Sequence, residues 1–382
     1  MNQPKHSEAT CLTPAASFRD VSRGDPVPHT LVGDALKNAR LTPDTWRLEI
    51  VAEAGAELER PRTLKDGTAI DLPALMELGK THGVRFLKAM QCLNISQPLG
   101  QGLWEGVALR EVLKLAGRFD NARRVFYWGF HNNDPKQLFQ SSLSYSQVME
   151  APPGELPPFV AYRLNGEPLS LKRGGPVRMV VPWAHGFKSI KWLQRIVLTN
   201  DFKANDTYAE DGNDPESYLK TAAYIQEEHL IFPAGKPAVI RGTAITGWSG
   251  LKRVEYWLRP DPGLHGTLAD DDPAWNAAKW LPCEIAAEPH DWSRVLPDGM
   301  RPADVWGFDA ASGRPSVWPM RYGIVNWSVV LEGLAPGMYE FRARAVDLNG
   351  YAQPLPRSSR TSGRNGVQVR VFEVRDAAAR PH

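Results

Sequence analysis

The chain has 382 residues, of which 42% are hydrophobic and 23% are charged, and its formal net charge is +2. This length and composition are typical of a globular protein with more than one domain. The near-neutral charge excludes an electrostatic nucleic-acid partner, and no run of about 18 apolar residues provides a membrane span.

The cysteines are sparse. Cys11, Cys92 and Cys283 are too few and too scattered for a disulfide framework or for paired zinc-ligand spacing. Residues 1–20 are polar and lack the apolar segment of a signal peptide. We therefore expect a cytoplasmic protein, or a periplasmic one if a signal peptide has been removed.

An irregular arm over residues 1–41 is followed by alternating strands and short helices over residues 42–222. Asp71 and an early proline predict a helix over 72–81, and an apolar stripe ending at a glycine predicts another over 106–117. Strands are predicted for the apolar runs at 46–51, 86–92, 125–130, 159–164, 177–182 and 193–198. This mixture predicts an α+β domain.

Helical periodicity almost disappears after residue 222. Short alternating strands separated by Gly and Pro turns are predicted at 238–244, 253–258, 325–331, 338–345 and 367–372. This pattern predicts an immunoglobulin-like β-sandwich over residues 223–382. The Trp- and Pro-rich insertion over residues 260–322 is expected to be loop.

Four cations flank a short apolar strand and a glycine-containing turn between residues 173 and 192. They are Arg173, Arg178, Lys188 and Lys191. An arginine fork and lysine point charges on rigid elements suit a buried phosphate group. The alternative is that these residues are the solvated ends of a strand pair.

Cys92 ends the predicted strand over 86–92, and a Gly-rich loop is expected from there to Trp104. A thiolate at this place suits a soft transition metal. The alternative is a small buried hydrophobe, which is the commoner role of a lone cysteine.

These pieces occur in a particular order. Cys92, the G-L-W-E-G-V-A-L-R-E-V-L run over 102–113 and the A-Y-R-L-N-G-E-P-L run over 161–169 resemble the sulfite oxidase family of molybdenum enzymes. So do G-P-V-R-M-V-V-P over 175–182 and K-S-I-K-W-L over 188–193. In the second half, T-G-W-S-G at 246–250 and A-V-D-L-N-G-Y-A-Q-P at 345–354 resemble that family's dimerisation domain.

The resemblance implies a cofactor and its ligands. Molybdenum would be held by one pyranopterin dithiolene (molybdopterin) and by the Cys92 thiolate. The cofactor-binding residues would be Ser142, Arg173, Arg178, Lys188, Ser189 and Lys191. Such a centre transfers an oxygen atom to or from a small sulfur or nitrogen compound, and sulfite oxidation is the default expectation.

Two further residues match active-site positions of the family. Tyr208 falls near its active-site tyrosine, and Arg360 matches a substrate-pocket arginine donated by the second domain. A packed tyrosine and an exposed loop arginine are the alternatives. The resemblance also implies a homodimer. Because no C-x-x-C-H haem motif is present, electrons would pass to or from a separate carrier or oxygen.

The sequence departs from the family directly after the cysteine. Leu93-Asn94-Ile95-Ser96-Gln97 stands where sulfite oxidases have A-G-N-R-R, so the sulfite-binding arginine is absent. The family's R-N-H pterin motif is not visible around residues 29–40. The segment over 182–188 resembles haem-free methionine-sulfoxide reductases. An S-oxide or N-oxide reductase, and a scaffold that has lost the metal, are therefore alternative interpretations.

Overall fold

The computed structural model describes residues 11–152, 154–204, 207–210, 212–226, 230–261, 266–354, 363 and 365–376. Within these ranges the helices are α1 Gly33–Asn38, α2 Leu72–His82, α3 Leu109–Lys114, α4 Tyr145–Met149, α5 Thr207–Glu210 and α6 Pro273–Asn276. No helix in the described ranges combines the length and apolar character that crossing a bilayer requires. The fold is therefore a mixture of many strands with a few short helices.

Helix α2 confirms the prediction over 72–81. The carboxylate of Asp71 accepts a hydrogen bond from the backbone N–H of Ala74 at 2.9 Å, which satisfies one of the free donors at the helix start. The prediction over 106–117 is wrong at its beginning, because helical structure starts only at Leu109. The three residues before Leu109 belong to a strand.

The first half of the chain contains β1 Arg47–Glu53, β2 Glu57–Leu58, β3 Ile70–Asp71, β4 Gly83–Met90, β5 Gly100–Ala108, β6 Phe119–Asp120, β7 Arg124–Gly129, β8 Gln140–Ser144, β9 Phe159–Leu164, β10 Glu167–Pro168, β11 Arg178–Val180 and β12 Leu193–Thr199. One sheet has the order β3-β1-β12-β7-β8, with β1 and β12 parallel. A second has the order β10-β9-β5-β4, and β11 also pairs with β9. Their apolar faces share one core with α2 and α3.

Strand β5 corrects the expectation of a glycine-rich loop before Trp104. All nine of its residues are buried, so the strand shows no alternation of polar and apolar residues. Gly106 is required by close packing, because a Cβ there would overlap the backbone of Val160 in β9. The glycines therefore mark a close approach between strands and not a flexible connection.

The second half contains β13 Ala222–Ile225, β14 Leu230–Pro233, β15 Ala238–Ile245, β16 Arg253–Pro260, β17 Leu281–Pro282, β18 Glu284–Ile285, β19 Ile324–Leu331, β20 Gly337–Val346 and β21 Gln368–Arg375. They form two sheets, with orders β13-β15-β19-β18 and β14-β21-β20-β16-β17. Both sheets contribute to a second hydrophobic core. The five strands predicted in this half are confirmed as β15, β16, β19, β20 and β21.

The insertion predicted as loop is largely irregular, and part of it packs on the first half. Trp292 and Leu296 are buried against Leu87 and Leu103 of β4 and β5. Backbone hydrogen bonds join Trp306 N–H to the carbonyl of Arg85, and Ala89 N–H to the carbonyl of Tyr322, at 2.8 and 2.7 Å. Since β4 lies at the end of its sheet, these bonds cover its free edge.

Candidate functional site

A cavity of about 480 Å³ opens beyond the end of β4, which is a volume suited to a small organic ligand. Its walls come from the residues after β4, from the segment between β10 and β12, and from the N-terminal arm. The predicted site residues that line it are Cys92, Arg173, Arg178, Ser189 and Lys191. The structure thus brings the thiol and three of the four cations predicted for the phosphate site to one cavity.

Two adjacent glycines shape the segment that carries the cations. Gly174 has a left-handed φ of 97°, and a Cβ there would lie 2.7 Å from Cγ of Lys191. A Cβ on Gly175 would overlap the carbonyl of Leu169. The carbonyl of Gly174 accepts the Trp192 N–H at 2.9 Å, which holds Arg173 close to Lys191 in space.

Arg178 is buried, and backbone carbonyls receive its guanidinium. It donates to the carbonyl of Arg173 at 2.8 Å and to that of Ser189 at 2.5 Å, and it lies over the Trp104 ring at 4.9 Å from the centroid. Burial, with the nearby charge of Arg173, lowers the pKa of Arg178 to about 9. The guanidinium therefore ties the segment together at the edge of the cavity.

Lys191 contributes a charge that the arm partly neutralises. Its ammonium donates to Asp20 Oδ1 at 2.9 Å, to Ser22 Oγ at 2.6 Å and to the Lys172 carbonyl at 2.8 Å. Burial lowers the pKa of Lys191 to about 8, and the charge of Arg178 acts in the same direction. The charge of Asp20 acts against this shift. Burial acts to raise the pKa of Asp20 itself, but the hydrogen bonds that Ser22 and Lys191 donate to its carboxylate hold this pKa well below its usual range.

Cys92 follows β4 by two residues and is partly exposed to the cavity. Its thiol donates to Asn94 Oδ1 at 2.9 Å. Cys11 is buried in a separate cluster, and burial together with Glu255 raises the pKa of Cys283 to about 12. Cys92 is thus the cysteine placed to offer a thiolate to a ligand in this cavity.

Ser142 and Lys188, which the resemblance assigns to cofactor binding, are both buried and do not line the cavity. The Lys188 ammonium donates to the carbonyl of Ser142 at 2.8 Å. The Ser142 hydroxyl donates to the Ala204 carbonyl at 2.8 Å and accepts a hydrogen bond from Arg124. In this structure the two residues bond to each other behind the wall that carries Ser189.

Of the two predicted active-site residues, the structure describes only the backbone of one. The backbone of Tyr208 lies in helix α5. Arg360 lies outside the described residues. Their proposed roles therefore rest on the family resemblance.

The arm contributes residues that the sequence pattern does not predict. Phe18, Arg19, Val21, Ser22, Arg23 and Gly24 line the cavity. The carbonyl of Arg19 accepts a hydrogen bond from Arg173 at 3.2 Å, and the Arg23 guanidinium lies 4.8 Å from the centroid of the Phe139 ring. Arg19 and Arg23 themselves were the available signal, because the planar guanidinium of arginine suits anion binding.

The lining residues can be tested against the implied cofactor. Within the described part of the chain, no group of three or more His, Cys, Asp or Glu side chains is placed to hold a metal ion. A metal in this cavity would therefore need an organic ligand of its own, with Cys92 adding one thiolate. The lining cations, Arg19, Arg23, Arg173, Arg178 and Lys191, would balance an anionic group on that ligand.

Comparison with known proteins agrees with this fit. Residues 35–207 match the model of the oxidoreductase molybdopterin binding domain. A nitrate reductase [NAD(P)H] of Betula pendula is 35% identical over 111 residues, and mitochondrial sulfite oxidase of Drosophila melanogaster is 30% identical over 111 residues. These alignments cover 28% and 29% of this chain, and they span only 12% and 18% of the relatives' own lengths.

A solved structure shows the same fold over nearly the whole chain. The sulfane dehydrogenase SoxCD of Paracoccus pantotrophus aligns with a TM-score of 0.57 at 18% identity, covering 92% of this chain and 86% of that one. Residues 35–207 thus match an oxidoreductase molybdopterin binding domain, and the fold is shared with that solved structure. The cofactor of such a domain is molybdenum bound to molybdopterin, and over parts of its length the chain is similar to nitrate reductase and sulfite oxidase.

Proposed function

We propose that the chain transfers an oxygen atom to or from a small sulfur compound, with sulfite oxidation as the first candidate. The observation that carries this proposal is that the Cys92 thiol and a cluster of cations line one cavity. When bound, the cofactor supplies the two-electron redox chemistry, and the chain binds, orients and shields it.

In this proposal Cys92 is the protein ligand of the metal, and Arg173, Arg178, Ser189 and Lys191 hold the anionic end of the pterin. Ser142 and Lys188 support that wall through their mutual hydrogen bond. Tyr208 and Arg360 are proposed to contact the substrate, as the resemblance implies.

One observation favours a second candidate, an S-oxide or N-oxide reductase. The lining residues nearest to Cys92 in sequence are Met90, Asn94 and Ile95, which are uncharged. The absence of an arginine directly after Cys92 removes the partner that an anionic substrate would need. A neutral S-oxide or N-oxide would not lose affinity for that reason. A scaffold without metal is the remaining alternative.

The first experiment measures molybdenum per chain in protein from a host that makes molybdopterin. Cys92→Ser is compared with Cys283→Ser, its matched control in the second half. We expect near-stoichiometric metal in the parent and the control. We expect turnover of sulfite with ferricyanide, or of a sulfoxide with a reduced viologen, to fall at least about 100-fold in the Cys92 variant. A Cys92→Ser protein that turns over like the parent would exclude the thiolate role. A metal-free parent would support the scaffold.

We also propose that residues 223–382 form an immunoglobulin-like dimerisation domain and that electrons are exchanged with a separate carrier, such as a cytochrome, or with oxygen. The two sheets that share one core support the first part. Sedimentation at micromolar concentration should show a species of twice the chain mass. A monomer alone would contradict the dimer.

A further inference from the structure

Lys88 is a cation in the protein interior that the site described above does not use. Its side chain is fully buried in the middle of β4, and its ammonium donates to the carbonyls of Pro182 and Ala184 at 2.7 and 3.1 Å. Within the described chain no carboxylate lies within ion-pair distance of this ammonium. A buried charge whose partners are two neutral carbonyls is costly to keep.

The electrostatic surroundings of Lys88 are also unfavourable. Burial, together with the charge of Arg178, lowers its pKa to about 7. An apolar residue in the same place would fill the space without desolvating a charge. Buried charged residues at positions where an apolar residue would fit are expected mainly at functional sites.

The two carbonyls that Lys88 binds, those of Pro182 and Ala184, belong to a turn that leads into the cavity lining at Gly186. Immediately after them, the Gly186 N–H donates to the carbonyl of Gln91 at 2.6 Å. The turn is therefore tied to β4 at two levels, once through the Lys88 ammonium and once through Gln91. Between the ties lies His185, whose ring is buried without a hydrogen-bond partner in the described structure.

Both segments that Lys88 joins, β4 and the 182–186 turn, continue into residues that line the cavity. Cys92 is the residue after Gln91, and Ser189 follows the 3₁₀ helix Gly186–Lys188. The position of the thiol relative to the cation wall therefore depends on how β4 and the turn are held together. Since Lys88 crosses from β4 to the turn, it can set that distance without touching any ligand.

We propose that Lys88 is a positioning residue that holds the 182–186 turn against β4 and so sets the spacing between the Cys92 thiol and the wall carrying Ser189. This inference rests on the proposed function, in which those two walls hold opposite ends of one cofactor. The alternative is a lysine that stabilises the core and has no effect on the site.

The test compares Lys88→Met and Lys88→Arg with a matched core control, Val254→Ala. Val254 is fully buried in the second core, so its truncation destabilises the protein without touching the cavity. We expect Lys88→Met to bind molybdenum, to lose at least about tenfold in kcat with little change in KM, and to alter the electron paramagnetic resonance spectrum of the one-electron-reduced protein. Lys88→Arg should recover part of the kcat and the parent spectrum, because its donors can still reach a carbonyl.

A readout on metal-free protein separates this inference from the proposed function. The alkylation rate of Cys92 by iodoacetamide, followed by peptide mass spectrometry, should change at least about fivefold in Lys88→Met, with Cys11 and Cys283 as internal references. If the parent holds no molybdenum but this rate changes, the proposed function fails and the positioning role stands. Equal rates, kcat and spectra in Lys88→Met and parent, or the same changes in Val254→Ala, would overturn the inference. If Lys88→Met does not fold, Lys88→Gln, whose shorter side chain cannot bind both carbonyls, is measured in its place against the same criteria.

Discussion

The carboxylate of Asp20 accepts a hydrogen bond from the ammonium of Lys191 at 2.9 Å, across 171 positions of sequence. Even with this partner the pKa of Lys191 is lowered to about 8, because burial outweighs the attraction and Arg178 adds repulsion. The cavity wall that carries Arg173, Arg178 and Lys191 therefore keeps an excess of positive charge. Asp20 lies against the cation that the proposed function assigns to the anionic end of the pterin.

Asp20→Asn should strengthen anion binding to metal-free protein. Removing the carboxylate takes away a negative charge beside Lys191, and partly exposed pairs of this kind are worth about 1 kcal/mol or less. We expect pyrophosphate to bind about three- to fivefold more tightly at pH 7, with the difference shrinking at high salt. Calorimetric titration measures this, with Asp309→Asn in the second half as control. Equal affinity in Asp20→Asn and parent would show that Asp20 does not influence the wall.

Stability should depend on pH through Lys88. Its pKa is about 7 in the folded protein, lowered first by burial and then by Arg178, against 10.5 as its ordinary value. Between these values the unfolded chain binds a proton that the folded protein does not, so the free energy of unfolding rises with pH across that window. The cost of the buried charge is fully present below pH 7 and disappears above about 10.5.

Lys88→Met removes this titration. The free energy of unfolding of the variant minus that of the parent should therefore be most favourable to the variant near pH 6 and should fall steadily toward pH 10. Urea unfolding at half-unit steps of pH measures both proteins under the same conditions. A difference that is constant from pH 6 to 10 would contradict the buried, charge-bearing lysine.

Gly129→Ala should destabilise the wall itself. Gly129 ends β7 and lines the cavity, and a Cβ there would overlap the carbonyl of Lys191 and reach that of Trp192 at 2.8 Å. Both neighbours are backbone atoms, which cannot move aside as a flexible side chain can. We expect a loss of about 2–4 kcal/mol in urea unfolding. Gly366→Ala is the control, because a Cβ at Gly366 has no neighbour within 4 Å.

Glu340→Gln should be costly in the second half. Glu340 and Arg342 are both fully buried, with Nε and Oε1 2.7 Å apart, and Arg259 reaches the other carboxylate oxygen at 2.6 Å. Neutralising the carboxylate removes the nearest counter-charge of both arginines, since Asp270, the other carboxylate near Arg342, is exposed and 3.9 Å away. A loss of about 3–5 kcal/mol is expected. The surface pair of Glu373 with Arg375 provides the control, where Glu373→Gln should destabilise the protein far less because solvent screens the pair. Similar losses in both variants would contradict a buried ion pair at Glu340.

Local patterns predict the elements and one wall of the site well. Asp71 predicts the start of α2 because an N-cap acts over three residues. The proximity of Arg173 to Lys191 follows from a turn that their own segment closes. The strand nature of β5 is not visible, because full burial removes the alternation that identifies a strand.

Contacts between distant parts of the chain cannot be predicted in this way. The bond between Asp20 and Lys191 requires the arm to pass along the cavity, and no periodicity indicates that path. The same holds for Lys188 and Ser142, which the resemblance assigns to the pterin and which bond to each other. Which side of a wall a side chain occupies depends on packing, and sequence spacing alone does not encode it.

The packing of residues 292–322 on β4 and β5 has a consequence for how the protein can be divided. The molybdopterin-binding domain found by comparison covers residues 35–207. Residues 18, 19 and 21–24 nevertheless line its cavity, and Trp306 and Tyr322 complete the edge of its sheet. Cutting the chain at those limits would expose an unpaired strand and the apolar surface around Leu87 and Leu103. The domain over residues 35–207 is thus smaller than the part of the chain that packs around it. A fragment of residues 35–207 expressed alone or in another protein should therefore aggregate.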